Sequence, residues 1–326
     1  MQNVSIQEKL PFLLKRQILK NEIRNFFLKK NYFEVDTPFM VTSPGEEVHL
    51  YPFQTCYETP YGEKKNLYLH TSPEFSMKKI LASLHRPIYQ FARVWRNGEG
   101  GKLHAPEFTM LEWYHPYYSL EELMRETESL LQALLPAKIN YNQSCIAFNK
   151  PFERLTVNQA FQNYVGVDLL SLPEDPFVLS QAANCSLRNS ETWEDLFFRL
   201  LMERIEPYIG RDRPTFLTHW PVSQAALAKI DSQDTRVALR FELYAGGLEL
   251  ANAFEELNDP LEQRARFVKD RKKRFLLYPS RPIWQLDESF LASLTSLPPC
   301  SGIALGFERL VMLATGAMDI KDILWI

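Results

Sequence analysis

The 326-residue sequence is poor in cysteine and histidine, with four and six residues, and neither type is grouped. Cys56, Cys145, Cys185 and Cys300 are scattered without a CxxC pair, which argues against both a disulfide framework and a zinc site and leaves reduced structural thiols as the expectation. No apolar run reaches the length of a membrane span. The N-terminal MQNVSIQEKLPFLLKR breaks its short apolar run with charges and offers no small-residue cleavage site. A cytoplasmic chain with no membrane partner is therefore expected. An excess of positive charge is missing too: the net charge is −3, so any contact with nucleic acid would have to be local. The one basic cluster, KDRKKR at 269–274, sits in a helical-looking run and reads as a solvated face rather than a binding patch. Internal repeats and low-complexity tracts are absent as well. What is present is apolar residue in quantity, 45% of the chain, which can bury a large core in one or two domains.

Periodicity predicts an amphipathic helix over 6–30, with Leu10, Leu13, Leu14, Ile18, Ile23, Phe26 and Phe27 toward the core. NYFEVDTPFM follows as a short strand, in which Pro38 stops a helix and fixes an extended turn at Thr37. Strands are expected at 50–57 and 67–70, and Ser72-Pro73-Glu74 opens a helix to about residue 84, with Glu74 in its first turn. Helices are expected at 120–135, 157–164 and 192–205, so that 116–235 reads as a mainly helical insertion. Strands return at 216–219, 240–245 and 248–254, the last two around Gly246-Gly247, and a strand passes into a helix within 302–315.

Three segments carry unusual chemistry. In residues 88–114, IYQFARVWRNGEGGKLHAPEFTMLEWY, two strands flank a loop with Gly98, Gly100 and Gly101 beside Lys102 and His104. Its backbone can approach a ligand closely while cationic donors reach anionic oxygens. Alternation places Arg96 at the end of the row Ile88, Gln90, Ala92, Val94, and puts Phe108, Met110, Glu112 and Tyr114 on one face of the return strand. A nucleotide cradle fits this mixture, although surface hairpins also carry scattered charge. In the second segment Glu242, Glu249 and Glu256 fall seven apart, but Gly246-Gly247 rules out one helix. On a hairpin Glu242 and Glu249 can pair, which suits Mg²⁺ beside a triphosphate, since that ion takes few protein oxygens. The bland alternative is an ion pair with Arg240. Alternation leaves Glu249 on the face opposite Asn252, Phe254 and Glu256, and a bulge near Ala251 would reconcile them. Glu256, next to Leu257 in a mixed strand, is expected to be partly buried and so needs a cationic partner, and a ligand ammonium would serve. In the third segment, SGIALGFERLVML at 301–313, Gly302 and Gly306 keep one strand face open and Arg309 begins a helix. Arg309 either holds phosphate oxygens or lies on the helix surface.

In order and spacing these segments resemble the three signature motifs of class II aminoacyl-tRNA synthetases, most closely the lysyl-tRNA synthetases. The matching stretches are FFLKKNYFEVDTPFM, VWRNGEGGKLHAPEFTMLEWY and GIALGFERL, with TSPEFSMKK and GLELANAFEELND between them, and the likeness runs from about residue 10 to the end. It implies an α+β fold, a single catalytic domain over 1–326 with an antiparallel sheet flanked by helices. Only about thirty residues precede the first motif, so no anticodon-binding barrel and no anticodon recognition are expected. HAPEFTMLEWY and CSGIALG are similar to the truncated lysyl-tRNA synthetase paralogues that modify elongation factor P. Ala304 stands where lysyl-tRNA synthetases usually carry glycine, a one-carbon change that typically shifts selectivity by ~1–3 kcal/mol.

The resemblance implies ATP and Mg²⁺ as cofactors, (R)-β-lysine or lysine as the activated acid, elongation factor P as acceptor, and a homodimer. Arg96 and Arg309 would be catalytic. Asn97, Gly98, Glu99, His104, Phe108, Glu249, Leu250 and Gly306 would join them around the nucleotide, with His104 and Arg309 on the outer phosphates and Phe108 against adenine. Glu242 and Glu249 would hold the metal. Ser72, Pro73, Glu74, Glu112, Tyr114, Asn252, Phe254, Glu256 and Ala304 would form the amino-acid pocket, with Glu256 and Tyr114 at the distal ammonium. Acid in excess suits a substrate with two ammonium groups. Departures from the synthetase pattern are Gly98-Glu99 where Arg-x-Glu is usual, Ala105 for asparagine, Ala253 for glycine and Glu308 for aspartate. Three rival readings are a class II-like asparagine synthetase, which would require basic groups where Glu74, Glu112 and Glu256 stand, a minimal lysyl-tRNA synthetase acting on tRNA, and a non-catalytic regulatory paralogue.

Overall fold

The computed structural model describes residues 5–325. In chain order the elements begin with α1 (Ile6–Lys29), β1 (Phe33–Glu34), β2 (Met40–Val41), β3 (Gln54–Glu58), β4 (Lys64–Leu69), α2 (Glu74–Leu84), β5 (Ile88–Trp95) and β6 (Glu107–Pro116). They continue with α3 (Leu120–Leu134), β7 (Lys138–Tyr141), β8 (Ser144–Ala147), β9 (Glu153–Thr156), α4 (Val157–Tyr164), α5 (Pro176–Ala182), α6 (Trp193–Leu200) and β10 (Thr215–Pro221). The chain closes with β11 (Val237–Ala245), β12 (Leu248–Glu255), α7 (Pro260–Leu277), α8 (Glu288–Ser293), β13 (Cys300–Gly306) and α9 (Phe307–Thr315). Two compact units result, one from the residues up to 123 together with those from 255, the other from 124 to 254.

In the first unit β5 and β6 form the expected hairpin, and β13 adds antiparallel to β6. The register sets Gln90 and Ala304 beside Glu112, and Ile88 and Gly302 beside Tyr114. β1 pairs parallel with β5, and Pro38 lies in the extended link between β1 and β2, where its missing N–H costs no ladder bond. Helix α1 starts at a capping box of Ser5 and Glu8. It buries Leu13, Leu19, Ile23 and Phe27, whereas Leu10, Leu14 and Ile18 are exposed and Phe26 is half-buried. At 100° per residue the 10-14-18 run lies on a different side from the 19-23-27 run, so only the latter faces the core.

The basic stretch of α7 is only in part the solvated face its composition suggested: Lys269 and Lys272 are exposed, but Arg271 and Arg274 turn inward. Arg274 is buried, donates to the carbonyls of Glu47 and Leu50, and stacks its guanidinium 4.3 Å from the Trp284 ring centre. Arg271 meets Glu46 at 2.8 Å. Three residues apart on a helix, the two arginines share one side, and that side grips the loop before β3.

The second unit carries β9, β10, β11 and β12, with β9 parallel to β10 and the other pairs antiparallel. Its core, around Phe161, Leu196, Phe197 and Trp220, comes from α4, α6 and β10. Between β11 and β12 the register slips: Leu243 faces Ala251 but Tyr244 faces Glu249, leaving Leu250 as the extra residue of a bulge.

Candidate active site

Helix α2 opens behind Pro73, and the Ser72 hydroxyl accepts from the Glu74 amide at 3.0 Å while donating to Glu112 Oε1 at 2.6 Å. Tyr114 donates to Glu112 Oε2 at 3.0 Å, so hydroxyls cap both oxygens of a fully buried carboxyl. Burial, reinforced by the charge of Glu74, pushes Glu112 up to about 8. Glu256 is also buried, and there too burial acts upward, with Glu74 adding to it and Lys78 opposing.

The cation that Glu256 requires comes from the chain itself. Lys78, one turn after Glu74 and 1% exposed, places Nζ 2.5 Å from Glu74 Oε1 and 2.5 Å from Glu256 Oε2. Burial disfavours its charge, but the two carboxylates outweigh that and hold the ammonium above its ordinary range. Glu256 Oε1 is buried without a hydrogen-bond partner. Gly302 is obligatory beside this oxygen. A Cβ there would stand 2.2 Å from the Tyr114 ring and 2.6 Å from Glu256 Oε1, so the strand face that glycine leaves open is filled by Tyr114.

Next to this cluster lies a cleft of about 280 Å³, walled by Pro44, Gly45, Glu47, Ser72, Glu74 and Lys79 among others. Lys79 is committed to Asp287 at 2.6 Å. Glu47 turns Oε2 into a buried position without a partner, and burial followed by the charge of Glu74 raises its carboxyl. Neither Lys78 nor Glu47 was singled out from sequence. The four-residue spacing from Glu74 was the available signal for Lys78. For Glu47, in an irregular loop, there was none.

On the loop side of the hairpin, Arg96 lies 5.2 Å from the Phe108 ring centre and 3.6 Å from Glu99 Oε1, with its Nε buried and unbonded. Gly98 adopts a φ of +86°, which lets the chain turn so that Glu99 folds back to Arg96. The Asn97 amide is used by the Tyr51 carbonyl at 2.6 Å. Arg309, at the start of α9, meets His104 at 2.8 Å, and its stem covers Gly306. Phe108 and Ala304 pack on a small apolar cluster of Ala92, Val94 and Met110. Glu308 is structural, accepting from the Thr109 amide and pairing with Arg16, both at 2.8 Å.

In the second unit Glu242 accepts from Arg240 at 2.5 Å and from Tyr244 at 2.6 Å. Burial and then the charge of Glu249 raise its carboxyl, so the two acids are electrostatic neighbours. The Arg240 pair is therefore present together with the acid pair, and the bulge at Leu250 is what brings Glu249 near Glu242. Two adjacent carboxylates of this kind fit Mg²⁺ shared with phosphate. Among the described residues no group of three or more His, Cys, Asp or Glu is arranged to hold a metal unaided. Asn252, opposite Glu242, accepts from Arg240 at 3.2 Å, and Phe254 lies across from Arg240.

The sequence model of the tRNA synthetases class II (D, K and N) matches residues 4–325. Proteins named elongation factor P--(R)-beta-lysine ligase from Salmonella paratyphi A (strain ATCC 9150 / SARB42) and Salmonella schwarzengrund are each 44% identical over 322 residues, covering 97% of this chain and 94% of theirs. The protein of that name from Salmonella gallinarum is 44% identical over 323 residues with the same coverage. With two hydroxyl-capped or lysine-paired acids buried beside an arginine-bearing hairpin, and with these relatives along its length, the chain belongs to the class II tRNA synthetase family of the D, K and N type.

Proposed function

We propose that this chain is an ATP-dependent, AMP-forming ligase that activates (R)-β-lysine and transfers it to the ε-amine of a lysine on elongation factor P. The observation that carries the reading is the buried acidic cluster of Glu74, Glu112 and Glu256, which would be costly without cations and suits a substrate bearing two ammonium groups. The names of the relatives supply the acceptor and the β-amino acid.

In the first step a carboxylate oxygen of the amino acid attacks the α-phosphorus of ATP and pyrophosphate leaves. In the second, the acceptor nitrogen attacks the acyl carbon, AMP leaves, and the nitrogen loses its proton. Arg96, with an unbonded Nε, is assigned to the α-phosphate and the reacting carboxylate, where a fixed cation favours the transition state. His104 and Arg309 are assigned to the outer phosphates, Phe108 to stacking on adenine, and Asn97, Gly98 and Glu99 to the turn beneath the nucleotide. Glu242 and Glu249 would hold Mg²⁺, which when bound neutralises phosphate charge, with Leu250 setting the bulge and Gly306 leaving room. Glu256 and Tyr114 read the distal ammonium. In the first unit Ser72, Pro73, Glu74 and Glu112 shape the remaining pocket, and Ala304, level with Glu112 on the next strand, narrows it by one methyl; Asn252 and Phe254 are assigned to the amino acid on the family resemblance.

The two units are read as one catalytic domain, in the cytoplasm. A homodimer built through the first motif is supported by apolar residues exposed there: Leu28 at 70%, Phe33 at 43% and Met40 at 55%. No described helix is long and apolar enough to cross a membrane. The test is ATP–pyrophosphate exchange with (R)-β-lysine and α-lysine in parallel, followed by transfer to elongation factor P or to tRNA. Exchange with neither lysine ends the ligase reading, and efficient charging of tRNA replaces it with a synthetase.

A further inference from the structure

Lys78 plays no part in the assignments above, yet its position among the pocket acids is specific. Its side chain is 1% exposed, its Nζ touches Glu74 and Glu256 at 2.5 Å each, and it rises from the same helix face as Glu74. A lysine carried so far from water persists only where the surroundings demand a cation. Lys79 is bound to Asp287, while Glu47 on the cleft wall keeps a buried Oε2 without a partner. Lys78 is thus the ammonium that touches the pocket acids directly, through Glu74 and Glu256.

We propose that Lys78 is a specificity-determining positioning residue, an internal ammonium that holds Glu74 and Glu256 together so that the pocket acids are set to receive the ammonium groups of a diamino acid. The inference rests on the proposed function. Lys78 donates to one oxygen of Glu74 and forms an ion pair with one of Glu256, which ties the two acids to the same ammonium. It leaves Glu256 Oε1 buried and unpartnered, packed beside Gly302 and the Tyr114 ring. An incoming ammonium then finds an acceptor already oriented and need not displace the lysine. A pocket whose acids are held this way selects against monoamino acids, which leave a buried acceptor unpaired.

The experiment is amino-acid-dependent ATP–pyrophosphate exchange on wild type and on Lys78→Met, which keeps the length of the side chain and removes its charge. Expected is a rise in KM for the diamino acid of about 30-fold or more, with KM for ATP within about twofold, and a narrowed preference for lysine over norleucine. In Lys78→Ala, added propylammonium should restore part of the exchange where propanol does not. Unchanged KM and selectivity in Lys78→Met would overturn the proposal. Should the variants not fold, the wild type decides through labelling of its amines read by mass spectrometry. Lys78 is expected to stay unlabelled with and without saturating diamino acid, and labelling that appears only with substrate would mean the lysine is displaced and the proposal is wrong. Absence of exchange in wild type itself would instead remove the proposed function on which this rests.

Discussion

Under the proposed assignment, Glu112 couples the amino-acid pocket to pH. Its carboxyl, raised to about 8 by burial and by Glu74, is protonated near neutrality in the empty protein, whereas an ammonium ligand favours the charged form. KM for the diamino acid should therefore fall by up to about tenfold per pH unit from 6.5 to 8 and then level off, with KM for ATP nearly flat, as initial-rate profiles would reveal. The sign for stability runs the other way. A folded value above the unfolded one means that the folded chain holds more protons, so the Glu112 contribution is lost as pH rises through 8. Melting curves should show a larger stabilisation by lysine at pH 8.5 than at 6.5. Gly302 sets a steric limit at the same scale: Gly302→Ala drives a methyl into Tyr114 and Glu256, with an expected loss of about 1–3 kcal/mol by urea unfolding and a higher KM for the amino acid. The acids themselves were legible in sequence, Glu112 on a strand rich in apolar residues, Glu256 just after one and Glu74 at the opening of a helix behind Pro73. Lys78 was not, since a Glu–Lys pair four apart usually marks a solvated helix surface, and only the packing around α2 shows that this face is buried.

Helix α7 acts as a clamp on the loop that walls the cleft. Removing Arg274 would leave the Glu47 and Leu50 carbonyls unpaired and strip the face of Trp284, so Arg274→Ala should cost about 2–4 kcal/mol in urea unfolding and weaken amino-acid binding through Glu47. From sequence the helix was plain but its arginines were misread, because a basic run carries no mark of which members find buried carbonyls. The hairpin of β5 and β6 was the opposite case. Alternation alone grouped Ile88, Gln90, Ala92 and Val94 in one row and Phe108, Met110, Glu112 and Tyr114 on one face of the return strand, and the structure pairs these two rows across the hairpin, a register that a one-residue slip would turn inside out. The β11–β12 pairing fell between these extremes. A bulge was needed to bring Glu249 to Glu242, and it lies at Leu250, next to the expected Ala251.

At the scale of the molecule, the exposed apolar residues of the first motif predict self-association. Sedimentation velocity should give a dimer for wild type and a monomer for the double variant Leu28→Glu and Met40→Glu, and a wild-type monomer at micromolar concentration would remove the dimer. The class of fold was legible because five ordered segments keep the spacing of one family. The division into two compact units was not, since what defines it is contact between residues distant in sequence, which periodicity does not encode.

The Arg271–Glu46 contact joins residues 225 positions apart, and Trp284 closes the same corner by donating to the Gly45 carbonyl at 3.0 Å. During synthesis the cleft wall therefore waits. A nascent chain that has emerged only as far as Val237 can pair β5 with β6 and close the α2 turn, but its loop at 44–50 still lacks both arginines and the indole. The cleft wall at 44–50 is thus held by residues made late in the chain, Arg271, Arg274 and Trp284, which exposes it to C-terminal truncation.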